Sequence, residues 1–101
     1  MATLGSLVVF ALVGLFAVNA IPHFVRGITS QRHMTPFGSQ SSAVVNVLWG
    51  GANAAVAGVL AWAFRDATDA STLAVAFVAG MGLAVGLASF WSRSDPTLPW
   101  E

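Results

Sequence analysis

The side chains of this sequence that could carry chemistry are Asn19, His23 and Arg26 on one stretch and Asn46, Trp49 and Asn53 on another. An amide can hydrogen-bond between helices, an imidazole can ligate or accept a proton, and a buried indole N–H needs an acceptor. Counted from the polar connection between two apolar stretches, Asn19 lies just inside the end of the first and Asn46 just inside the start of the second, with Trp49 one turn deeper. The expectation is that Asn19 and Asn46 bond between helices or to the loop backbone, with His23 and Arg26 above them closing a polar cluster. As packing contacts, such bonds are worth about 0.6 kcal/mol each. As a functional group, they would line a small polar cavity or a partner's docking site.

His23 and His33 are the only histidines, ten residues apart across Pro22, Gly27 and an expected loop. That spacing does not put them on one helix face as a two-histidine metal or haem site requires. No metal site and no bound cofactor are expected. His23 and Trp49 are the weak candidates for touching a cofactor, including a haem shared between two subunits. Trp49 is more simply explained by core packing with a hydrogen bond to its indole.

No carboxylate interrupts an apolar stretch: Asp66 and Asp69 sit in a short turn, and Asp95 and Glu101 in the tail. A proton-coupled pump needs an ionisable group at membrane depth, so that class is set aside. Neither histidine has a carboxylate nearby to orient it, and Ser41 and Ser42 read as helix caps, so no catalytic residue is assigned and an enzyme is not expected. Gly50-Gly51 follows no strand and reads as packing rather than a phosphate loop.

Composition decides what surrounds these residues. The chain has 101 residues, 56% hydrophobic and 8% charged, against about 25% charged in a soluble domain, and its mean hydropathy is +0.77. Four basic and four acidic residues cancel, which leaves no patch for nucleic acid. Zero cysteines exclude disulfides, iron–sulfur clusters and thiolate zinc sites.

Three apolar stretches follow, each near the roughly 20 residues that cross a bilayer as a helix. The first runs over about 3–21; Val18-Asn19-Ala20 resembles a signal cleavage site, but the basic leading region is missing. Pro22 should kink or end that helix, with a short interfacial extension as far as Gly27. The loop 27–40 holds a Thr35-Pro36-Phe37-Gly38 turn. The second helix covers about 42–64, with Gly50, Ala54 and Gly58 at every fourth position as a close-packing stripe. A tight reversal leads to an Asp69 N-cap and a third helix over about 70–91. That helix carries one small-residue stripe of Ala76, Gly80, Ala84 and Ala88, and another of Ala79, Gly82, Gly86 and Ser89, suggesting two helical neighbours. The tail 92–101 should be extended. The fold class expected is all-α: a single domain, 1–101, forming a three-helix transmembrane bundle with helices two and three as a tight hairpin.

Arg26, Arg32 and Arg93 would lie on one side of the membrane and Arg65 alone on the other. The positive-inside rule then predicts a multi-pass inner-membrane protein with its N-terminus outside and its C-terminus cytoplasmic.

The runs Asn19-Ala20-Ile21-Pro22-His23-Phe24-Val25-Arg26-Gly27, Thr35-Pro36-Phe37 and Ser41 to Gly50 resemble those of a group of small, uncharacterised bacterial integral membrane proteins. These share an N-x-x-P-H-F-x-x-G run and then an N-V-x-W-G run, and the resemblance covers about the first half of the chain. It implies that Asn19, Pro22, His23, Phe24, Gly27, Pro36, Phe37, Asn46, Trp49 and Gly50 form one unit at the junction of helices one and two. It implies no activity.

Three helices enclose little interior, so leftover small-residue stripes point to copies of the same chain or to other membrane subunits as partners, besides the lipid bilayer. The leading expectation is a structural or accessory membrane subunit. An oligomeric channel or facilitator for a small neutral solute, lined by Asn19, Asn46 and Asn53, is the alternative; a haem- or quinone-contacting redox subunit is the third.

Overall fold

In a computed structural model, which describes residues 2–93 and 97–100, three helices carry the chain: α1 (Leu4–Ile28), α2 (Ala43–Ala63) and α3 (Ala70–Trp91). Between α1 and α2 lies an antiparallel hairpin of β1 (His33–Thr35) and β2 (Gly38–Ser41). A single 3-10 turn, Arg65–Ala67, joins α2 to α3.

Each helix begins on a cap. Thr3 and Ser6 exchange side-chain and backbone bonds in a capping box, the Ser42 hydroxyl accepts from the Val45 N–H, and Asp69 forms a second capping box with Thr72. Ser41 does not cap. It belongs to β2, where its hydroxyl lies 2.6 Å from that of Thr35 and donates to the Gly38 carbonyl.

All three helices are long and apolar enough to cross a membrane. Their side chains are sorted for a lipid solvent. Val44, Leu48, Val59, Phe77, Val78 and Val85 point outward, while Ser6, Asn46, Asn53 and Thr72 are buried. In water that arrangement would leave large apolar patches unsatisfied, whereas in a bilayer the apolar chains are at home and the polar ones need the interior. The fold is a three-helix transmembrane bundle.

α1 is the middle of it, packing along both α2 and α3, whose own link is the short reversal 64–69. Backbones approach closely where a side chain is missing. A Cβ on Gly14 would fall on the Ala76 carbonyl, one on Gly80 would come within 2.8 Å of the Val18 side chain, and one on Gly50 within 2.7 Å of the Phe24 nitrogen. Small residues at crossings permit this approach. The contacts align rising numbers on α1 with rising numbers on α3, so these two helices run parallel and α2 runs against them.

α1 does not end at Pro22 but continues through it to Ile28, one residue past the extension expected as far as Gly27. Proline inside a helix removes one bond and costs about 3 kcal/mol in an unsupported helix. Here the turns beyond it are held from outside: His23 and Gly27 are buried, and Gly27 lies against Ala43 and Val47 of α2. At 25 residues α1 spans roughly 37 Å, more than a hydrocarbon core of about 30 Å, so its last turns can stand clear of the bilayer centre and carry the hairpin.

α1 ends in a Schellman cap. Ser30 adopts φ 61°, its N–H bonds to the Gly27 carbonyl, and the Gln31 N–H bonds to the Arg26 carbonyl at 2.9 Å. The expected loop is thus an ordered hairpin, turning at Pro36-Phe37, with an irregularity between the pairs His33–Ser41 and Thr35–Gly38. Of the tail, Ser94 to Pro96, including Asp95, and Glu101 lie outside the described residues; Leu98 is buried, its N–H 3.2 Å from the Ser39 hydroxyl.

Candidate functional site

The end of α1, the hairpin, the start of α2 and the end of α3 meet at one end of the bundle. Asn46 is the hub. It is 0% exposed, and its carboxamide nitrogen faces three backbone oxygens, those of His33 at 2.9 Å, Ser41 at 3.1 Å and Ser42 at 3.0 Å. With the nitrogen so placed, its oxygen must be the atom 2.9 Å from His23 Nδ1. An amide oxygen only accepts, so His23 Nδ1 carries a hydrogen. One side chain thereby joins α1, both strands and its own helix cap.

One turn deeper, Asn19 donates to the Asn53 side-chain oxygen at 3.1 Å, and Asn53 donates to the Trp49 carbonyl at 2.8 Å. The expected interhelical and loop-backbone bonds therefore form, but as two separate sets, Asn46 with His23 and Asn19 with Asn53. Arg26 stands outside both: it is exposed and its guanidinium donates to Gln31. Trp49 is half-buried and packs edge-on against Phe37 with ring centroids 5.6 Å apart; its indole N–H makes no hydrogen bond among the described residues.

His33 joins the site, where spacing along the chain gave no sign of it. Its ring centroid lies 5.2 Å from that of His23 and 4.3 Å from that of Trp91. The signal was the turn Thr35-Pro36-Phe37-Gly38, because a hairpin there folds residue 33 back over the end of α1. His33 Nε2 and Trp91 Nε1 are buried without hydrogen-bond partners among the described residues. Burial pushes the His33 pKa down to about 4, and the nearby charges of His23 and Arg26 push the same way.

Beside His23 lies a cavity of about 190 Å³, with Asn19, Trp49, Phe90, Trp91 and Leu98 in its wall. Among the described residues no group of three potential metal ligands comes together.

Of the expected packing positions, Gly50, Ala76, Gly80 and Ala84 are on or beside buried faces, Gly50 and Gly80 in direct contact with α1. Ala54, Gly58, Gly82 and Gly86 are exposed, and a Cβ on any of those three glycines would meet nothing within 4 Å. The buried stripe of α2 is Asn46, Gly50, Asn53 and Ala57 instead.

Among known proteins, no family model, no curated protein and no solved structure matches the chain.

Proposed function

We propose that this chain is a non-enzymatic structural or accessory subunit of a bacterial inner membrane, acting with copies of itself or inside a larger membrane complex. The observation that carries the reading is the closure of its polar groups. The amides that would have lined a solute path bond to one another and to backbone: Asn46 to His33, Ser41, Ser42 and His23, and Asn19 to Asn53. A polar set satisfied in this way rigidifies a junction. The resemblance to small bacterial membrane proteins through the same residues bears on the membrane setting and implies no activity.

Partners would dock on the outer faces of α2 and α3, where Gly58, Gly82 and Gly86 leave smooth surface. Arg26 and Arg32, beside the hairpin, and Arg93, after α3, would face the cytoplasm, and Arg65 the other side. The test is native mass spectrometry of the chain extracted in mild detergent from its own membrane. Multiple copies, or a stoichiometric second membrane protein, is the expected result; a lone monomer at every detergent concentration overturns the proposal.

A further inference from the structure

Beyond that structural role, we propose that the cavity between α1 and α3 binds a neutral, hydroxyl-bearing aromatic ring of the phenol or quinol class, held through His23 Nε2. The imidazole tautomer comes first. Asn46 fixes the hydrogen on Nδ1, so a neutral His23 presents Nε2 as a bare acceptor. The residue is 6% exposed, and Nε2 has no hydrogen-bond partner among the described residues, yet it is not sealed off as His33 Nε2 is. Its ring lines the cavity. A buried acceptor on the wall of a cavity calls for a donor inside it.

One helical turn away, Asn19 shares the wall; Asn53 is oriented by its bond to the Trp49 carbonyl, so Asn19 donates to it. The Trp91 ring stands opposite on the cavity wall, with its indole N–H sealed from the space as His33 Nε2 is. A hydroxyl group supplies the donor that His23 Nε2 lacks.

Charge and shape narrow the class. Arg26 is near enough to depress His33, which disfavours a cation. A bare imidazole acceptor on the wall disfavours an anion. The rest of the wall is mostly apolar and includes Trp49, Phe90, Trp91 and Trp100, which suits offset or edge-on ring contacts. At about 190 Å³ this open-mouthed cavity has room for one ring.

The experiment compares phenol with anisole, which has the same ring with its donor hydrogen replaced by methyl. Each is titrated by calorimetry into the full chain in nanodiscs, against protein-free nanodiscs. Phenol should bind saturably, one per chain, and anisole at least about tenfold more weakly, because a site built around a hydroxyl rejects the analogue lacking its donor. Leu87→Trp, which fills the cavity from α3 without touching the Asn46 bonds, should remove phenol binding. Equal binding of the two ligands, no phenol heat above empty nanodiscs, or full binding by a folded Leu87→Trp overturns the proposal. If Leu87→Trp does not fold, the phenol and anisole comparison on the unaltered chain decides.

Discussion

The Asn46 side-chain oxygen accepts the His23 Nδ1 hydrogen at 2.9 Å, joining the start of α2 to the part of α1 beyond Pro22. This bond, with the two N–H groups of the same amide shared among three backbone oxygens, lets α1 continue past its proline and carry an ordered hairpin. Asn46→Ala strands His23 Nδ1 and several carbonyls in a dry site, where each unmet group costs about 1–3 kcal/mol. A loss of about 3 kcal/mol is expected in SDS-driven unfolding from mild-detergent micelles. Asn19→Ala breaks one half-buried interhelical bond and should cost about 0.6 kcal/mol.

The two kinds of glycine should respond in opposite directions. Gly14→Ala drives a methyl into the Ala76 backbone and must part α1 from α3, at a cost of about 1–3 kcal/mol. Gly82→Ala meets no atom of the fold and relieves the helix penalty of glycine, so the isolated chain should be unchanged or gain up to about 1 kcal/mol. The same unfolding titration reads both.

Ser30 sits at the left-handed position of the Schellman cap with φ 61°. A side chain there costs roughly 1–2 kcal/mol that glycine avoids. Ser30→Gly should raise stability by about 1 kcal/mol, whereas Ser30→Val should lower it.

The hairpin should loosen in acid. His33 titrates near 4 when docked, against 6.5 when free. Above pH 6.5 both states are neutral and docking is insensitive to this group. Between 6.5 and about 4 the undocked hairpin binds a proton that the docked one refuses, so docking weakens as pH falls; below about 4 both are protonated and the loss levels off. Thermal midpoints measured from pH 7.5 to 4 should fall over that window, and His33→Gln should remove the His33 part of the fall.

The spans themselves were legible because hydropathy and capping are local properties. α3 begins on Asp69 and ends at Trp91 as the pattern of apolar residues indicates. Asn46 and Asn53 stood out as polar groups in an apolar run, and both proved buried. What the order of residues hides is compensation between distant parts. Pro22 reads as a breaker because its lost bond is local, while the contacts of Gly27 with α2 that offset it are not. His33 was missed for the same reason: ten residues of chain separate it from His23, and only the Pro36-Phe37 turn brings the rings within 5.2 Å. Stripes of small residues look alike on α2 and α3, and which one is covered depends on α1 lying against both helices.

The account rests on Asn46 holding the hairpin down on α1 and α2, and amide hydrogen exchange in nanodiscs tests this most directly. In the unaltered chain the Asn46 and Ser41 region and the hairpin bonds should exchange slowly, while in Asn46→Ala residues 33–41 should lose protection and the three spans keep theirs. Free exchange of residues 33–41 in the unaltered chain, or equal protection with and without the Asn46 amide, would contradict it.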